Sequence, residues 1–321
     1  MKISIALAAY NGSKYLTEQL NSFTNQTHLP DELVIFDDAS TDKTMFLLHE
    51  YQSSAPFDVI IYSNDNRVGY SKNFEQAIAR CTGDILFISD QDDVWFPNKI
   101  KDTIDILSSH KNALVIINDQ QICDINLVPT QFTNYSNTYA AGFGPFWLSA
   151  GCCTAVRSSF VELLFPFPND LIPFDGWIHT LALLLKVRYV NNNVLQFYRR
   201  HSDNTSNSIA SQLNPPDRFT NFFSYGLKDV RKGWLNDVLL KSKLIELLTK
   251  RNDIISTISP SLDIPAVIND LNKNIEAIKD RIEIFSFKGY KKIYFIFLLY
   301  FNGGYSFFSG WKSALKDIVR K

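Results

Sequence analysis

The chain has 321 residues, which suits one large α/β domain with a helical addition. Hydrophobic residues make up 45% and charged residues 20%, values that exclude an intrinsically disordered chain. Lys and Arg number 32 against 33 Asp and Glu, so no global charge steers the protein toward nucleic acid and any electrostatic specialisation is local.

The N-terminal apolar run breaks into Tyr10-Asn11-Gly12 too early for a signal-peptide core and reads as a first strand, Ile3–Ala8. From there to about Asn118, short aliphatic runs alternate with amphipathic stretches, the pattern of βαβ units and a largely parallel sheet. The further strands are Leu33–Phe36, Val59–Tyr62, Ile85–Ile88 and Leu114–Ile117. Helices are predicted between them at Lys14–Thr24, Lys43–Gln52, Ser71–Arg80 and Pro97–Ser109, with Pro97 in a first helical position that does not need its missing N–H.

Residues 119–205 are irregular and rich in aromatics, and read as short strands and loops closing over the sheet. An Asn/Ser/Pro-rich joint at 202–216 precedes two helical stretches, Val230–Leu248 and Ile264–Phe285. Cys81, Cys123, Cys152 and Cys153 lack CxxC spacing and read as reduced thiols of a cytosolic protein. No apolar segment reaches the length of about 18 residues that a spanning helix needs.

Two strands run directly into carboxylates, at Asp37-Asp38 and at Ser89-Asp90-Gln91-Asp92-Asp93. Ligands of open α/β sheets bind outside the carboxyl ends of the strands, so both clusters fall on the functional edge. Carboxylates this dense repel one another, and an oxygen-seeking divalent cation, its shell completed by a diphosphate, is the usual way to hold them. Asp38 is placed to accept from the imide N–H of a base, while Asp42 reads as a cap of the following helix.

The ordered set AAYNG, VIFDDASTD, NRVGYSKNF and GDILFISDQDDVW resembles glycosyltransferase family 2, the inverting enzymes of the GT-A fold, over about the first 205 residues. The forms from Asn66 to Phe74 and from Ser89 to Trp95 are most similar to the bacterial rhamnosyltransferase-like branch, which builds cell-surface polysaccharides. The resemblance implies an α/β GT-A nucleotide-diphospho-sugar transferase fold, Rossmann-like with a mostly parallel central sheet flanked by helices, and a C-terminal helical extension. It implies a catalytic domain at 1–205, divided into a nucleotide-binding half (1–118) and an acceptor-binding half (119–205), followed by a helical region at 206–321.

Carried over residue by residue, the resemblance places Ala9, Tyr10 and Glu18 around the nucleotide, Asp38 on its pyrimidine and Asp90 at the ribose or donor sugar. Arg67 is set to meet the diphosphate or base, Gly69 to permit close backbone approach, and Asn73 to tie down the donor loop. Asp92 is the direct ligand of a divalent metal, Mn²⁺ or Mg²⁺, with His201 of the RRHSDNTS segment as a further ligand and Asp93 behind them. Asp175 of PFDGWIH is the catalytic base and Asp170 its alternative, although Phe174 stands where many members carry a carboxylate. Trp147 and Trp177 could stack against a sugar face, with core packing the default for either, while the small residues from Gly151 lie under the acceptor and Arg199 and Arg200 neutralise diphosphate charge.

The implied activity is transfer of a sugar, L-rhamnose from dTDP-rhamnose first and galactose or glucose from a UDP donor next, to a glycan or lipid-linked glycan. A catalytically inactive nucleotide-sugar-binding module is the alternative of another class. Residues 285–321 set basic residues against an aromatic run too short to span but suited to the inner face of the cytoplasmic membrane, as a peripheral attachment. The alternative there is a helical hairpin packed on the catalytic domain, or on a second copy in a homodimer.

Overall fold

In a computed structural model, residues 1–168, 170–206, 208–214 and 230–320 are described. The chain divides into two compact units, Met1–Pro216 and Asp217–Lys321.

The first unit opens with the expected alternation. Strands β1 (Ile3–Ala9), β2 (Glu32–Asp37), β3 (Asp58–Ser63) and β4 (Ile85–Ser89) alternate with helices α1 (Leu16–Thr24), α2 (Thr44–Gln52) and α3 (Tyr70–Arg80). The four strands pair in parallel in the order β3-β2-β1-β4. Helices cover this half, so β2 and β4 are buried at every residue and carry unbroken aliphatic runs, whereas β3 at the edge is half exposed. The strands' ends place Ala9, Asp37 and Ser89 along one border of the sheet, where the acidic loops begin.

After the short β5 (Val94–Trp95), helix α4 runs over Lys99–Ser109. Pro97 therefore lies ahead of the helix rather than in its first turn: Asn98 is the N-cap residue. Lys99, the first residue of the helix, is buried.

Residues beyond 114 depart further from expectation. Strand β6 runs over Val115–Cys123 and β9 over Arg188–Arg199, and the two pair in parallel. With β7 (Pro129–Thr133) and β8 (Thr154–Arg157) they complete a nine-stranded sheet among the described residues, in the order β3-β2-β1-β4-β8-β6-β9-β5, with β7 paired to β6 off that path. This half is mixed rather than parallel, because β8 runs antiparallel to both neighbours. Polar Asn118, Asp119 and Gln120 hid the second half of β6, yet they are buried and bonded: Asp119 Oδ1 accepts from the Tyr135 amide at 3.0 Å. Helices α5 (Asn134–Ala140), α6 (Ser158–Val161) and α7 (Phe174–Leu184) pack around this half.

The first unit extends past 205: Asn137 Nδ2 donates to the carbonyl of Gln212 at 2.9 Å and so ties the 209–212 turn to α5. Of the joint read at 202–216, residues 207, 215 and 216 lie outside the described residues. The second unit contains α8 (Arg231–Lys250), α9 (Asn252–Ile258), α10 (Ile264–Ile284), α11 (Gly289–Phe301) and α12 (Trp311–Val319). Its core includes Ile284, Ile296, Leu299, Tyr305 and Ala314.

Candidate active site

A cleft of about 1100 Å³ lies at the carboxyl ends of β1, β2 and β4. Its walls include Ala9, Tyr10, Asp38, Arg67, Asn73 and Asp90 from the nucleotide half, together with Asp92, Asp175 and His201. Nine of the residues singled out in the sequence, separated by up to 192 positions, thus meet in one place.

The nucleotide side is built by side chains that lock loops together. Asn73, 1% exposed, donates to the Phe36 carbonyl at 2.7 Å and accepts from Asn64, joining α3 to the end of β2. Asp38 accepts from the amides of Val68 (2.7 Å) and Gly69 (2.9 Å) and from Asn64 Nδ2. It therefore holds the 64–69 loop as well as lining the cleft. Gly69 has φ +89° with open space where a Cβ would sit, so its need is conformational rather than one of close approach. The loop so fixed lays the Arg67 guanidinium 4.0 Å from the Tyr10 ring centre.

Sequence reading gave Gln91 no role, yet its side-chain amide pairs with the Tyr10 backbone. Its Oε1 accepts from the Tyr10 N–H and its Nε2 donates to the Tyr10 carbonyl, both at 2.9 Å. A Cβ on Gly12 would lie 2.1 Å from that Oε1, so the glycine gives the amide its room. The available signal was the conjunction of Gly12 in the first loop with a long amide inside the acidic run.

At the other end of the acidic loop, His201 Nε2 is 2.8 Å from Asp92 Oδ2. The imidazole packs on Tyr15 at 4.7 Å, and Asn204 accepts from the His201 amide at 2.7 Å. A carboxylate and an imidazole converging on a cleft wall are a donor set that suits Mn²⁺ or Mg²⁺ completed by phosphate oxygens. Asp90 shares this wall; burial and then the Asp92 charge push it up to about 7.

Asp93 does not reach the cleft. It is fully buried and accepts from Gln196 Nε2 at 2.9 Å and from the Arg199 amide. Burial, then Asp92 and Asp90, raise it well above the usual carboxylate range. Gln196 also accepts from Lys99 Nζ, which donates at 2.8 Å to the Cys152 carbonyl. Burial lowers Lys99 to about 8. Cys152 and Cys153 remain free thiols and direct their Sγ atoms at Gln120 Oε1.

Asp175 lies in the first turn of α7, beside Phe174, which stacks on Phe74 at 4.2 Å. Burial raises Asp175 to about 6, while the amides of Gly176, Asp175 itself and Gly151 pull the other way. Asp170 lines a separate, smaller cavity with Tyr70 and Lys72 rather than this cleft.

Several expected neighbours lie elsewhere. Glu18 does not line the cleft: its Oε2 accepts from Arg199 Nη2 at 2.5 Å. Arg199 is 3% exposed and spends its other donors on the carbonyls of Asp92 (3.0 Å) and Ile125 (2.9 Å), so it is a brace rather than a diphosphate ligand. Arg200 donates to the Ser206 carbonyl at 2.8 Å and shapes the loop after His201. Trp177 is buried in the core, where its Nε1 donates to the Leu164 carbonyl at 3.0 Å, and it offers no face to a sugar. Trp147 is exposed but outside the cleft lining.

A sequence profile described as "Glycosyl transferase family 2" matches residues 4–165, half of the chain, including the nucleotide side of the cleft and Asp92 but not Asp175 or His201. The chain belongs to glycosyl transferase family 2. This glycosyltransferase is 30% identical over 229 residues to an uncharacterized glycosyltransferase of Nostoc sp., covering 66% of this chain and 68% of that one. It is 28% identical over 218 residues to the dTDP-rhamnosyl transferase RfbG of Shigella flexneri, covering 62% and 72%. Among solved structures it is similar to S. aureus TarS 1–349 in complex with UDP, with a TM-score of 0.54 and 17% identity, covering 99% of this chain and 88% of that one. The fold is GT-A: a sheet parallel in its nucleotide half, flanked by helices and followed by C-terminal helices.

Proposed function

We propose that this glycosyltransferase moves L-rhamnose from dTDP-rhamnose to a hydroxyl of a glycan or lipid-linked glycan in bacterial surface polysaccharide synthesis, inverting the anomeric centre. The observation that carries the reading is the meeting of Asp92 and His201, Asp175, and the Asp38–Arg67–Tyr10 wall in one cleft. Asp92 and His201 would hold the divalent cation, Mn²⁺ or Mg²⁺. When bound, it offsets charge on the departing nucleoside diphosphate.

The protein's own residues do the rest. Tyr10, Arg67 and Asp38 orient the base and diphosphate, and Asp90 faces the ribose or sugar. Asp175 accepts the acceptor's proton as the hydroxyl oxygen bonds to the anomeric carbon from the face opposite the diphosphate, whose bond to that carbon breaks. A carboxyl raised to about 6 is ionised at neutral pH and more basic than an exposed one. Likeness to a dTDP-rhamnosyl transferase supports the donor; a UDP-sugar is the second choice, supported by the UDP complex of the structural relative. No described helix is long and apolar enough to cross a membrane. A lipid-linked acceptor would bring the enzyme to the cytoplasmic face as a peripheral protein.

Calorimetric titration with dTDP, UDP and GDP, with and without Mn²⁺, tests the reading. Metal-dependent binding of dTDP, lost in Asp92→Ala, is expected. Tighter binding of UDP would redirect the donor, and absence of any nucleotide binding would overturn the transferase reading.

A further inference from the structure

We propose that α11 and α12 form a ready-made docking surface for an anionic lipid bilayer. Helix α11 is apolar nearly all round, but only one side is packed: Ile296 and Leu299 join the core with Ile284 and Tyr305. The opposite side exposes Tyr290 (89%), Tyr294 (62%), Phe297 (51%) and Phe301 (80%), four aromatics spaced four, three and four residues apart along one stripe. Helix α12 packs against α11 and exposes Trp311, Leu315, Ile318 and Val319. Exposed apolar stripes of this kind mark an interaction site.

Charge identifies the occupant. Between Phe285 and Arg320 the chain carries six cations, Lys288, Lys291, Lys292, Lys312, Lys316 and Arg320, and one carboxylate, Asp317. Asp317 is fully buried, accepting from Arg281 at 2.8 and 3.0 Å, from Tyr305 at 2.8 Å and from Arg320 at 3.0 Å. On α11, α12 and the residue before α11 the exposed charges are therefore cationic, from Lys288, Lys291 and Lys312, while Asp280 and Glu283 of α10 border α11 beside Leu298. A second copy would bring like charge against like, whereas anionic headgroups complement the cations while Tyr and Trp sit at the interface and Phe enters the acyl boundary. The helices are already fixed together, since Lys292 Nζ donates to the Arg320 carbonyl at 2.6 Å and Asp317 fastens α12 to α10. Little ordering remains to be done on contact.

This deepens the membrane part of the proposed function and rests on it. The test is sedimentation of the full chain with phosphatidylcholine vesicles containing or lacking phosphatidylglycerol, with dTDP calorimetry as a separate readout of the donor site. Binding at least about tenfold tighter to the anionic vesicles, weakening with salt, is expected. Phe297→Ser with Phe301→Ser should reduce it at least about tenfold while circular dichroism and dTDP affinity stay unchanged. Absence of vesicle binding, or equal binding by the double variant, would overturn the proposal. A dimer in sedimentation velocity that the same substitutions dissolve, without vesicle binding, would show a second copy as the occupant. Loss of dTDP binding by the wild type would sink the donor reading and leave the vesicle result to stand or fall alone.

Discussion

His201 Nε2 lies 2.8 Å from Asp92 Oδ2, an imidazole and a carboxylate brought together across 109 positions by β9 and the loop that follows β4. Arg199 braces one side of the pair and Asn204 the other. Asp92→Asn is expected to abolish metal-dependent nucleotide binding. His201→Ala should leave binding without metal intact and lower kcat by about 10²- to 10³-fold, the usual cost of one preorganised electrostatic group. Steady-state kinetics with and without Mn²⁺ decide this, and a His201→Ala enzyme of full activity removes the histidine from the site.

Asp175 must be ionised to accept a proton, and burial holds its carboxyl at about 6. Protonation below that value removes the proposed base, so kcat/KM should fall as pH drops through about 6, approaching tenfold per pH unit, and level off above it. Asp175→Asn should lose about 10²- to 10⁴-fold in kcat with dTDP affinity unchanged. A pH profile flat from 5 to 8 would assign the base elsewhere.

Arg199 reaches Glu18, Ile125 and the Asp92 carbonyl at once, and its guanidinium also lies 4.6 Å from the Tyr15 ring centre. A lysine cannot fork in three directions. Arg199→Lys is therefore expected to destabilise the first unit by about 2–3 kcal/mol and to weaken Mn²⁺-dependent dTDP binding about tenfold. Denaturant unfolding and calorimetry read the two effects, and a variant matching the wild type in both refutes the bracing role.

In the second unit, Asp317 is the buried partner of Arg281. Asp317→Ala leaves that cation uncompensated and should cost about 3–5 kcal/mol. Hydrogen exchange along 311–319 should rise with it; protection equal to the wild type would show that α12 is held by its apolar contacts instead.

The parallel half of the sheet was legible because its strands are buried on both faces and written as unbroken aliphatic runs, as in Leu33–Phe36 and Ile85–Ile88. The carboxylates after them marked the functional border, and Asp38, Asp90, Asp92, Asp175 and His201 all line one cleft. Strand β6 was cut short because Asn118-Asp119-Gln120 break the apolar pattern; only the tertiary partners Tyr135, Gln196 and the two thiols make those polar groups acceptable inside. Glu18 and Arg199 were misplaced for a related reason. A motif gives a side chain's position in the chain but not the partner that occupies it, and these two are bonded to each other. Lys321, read as part of the basic tail, lies outside the described residues.

The amide of Gln91 imitates a strand partner for Tyr10, and it fits only because position 12 carries no side chain. Evolution then has to treat the two sites as one character. A side chain at position 12 would push the Gln91 amide off the Tyr10 backbone, and shortening residue 91 would remove that conflict. Comparing these two columns among relatives would trace how the first loop and the acidic loop have been inherited together.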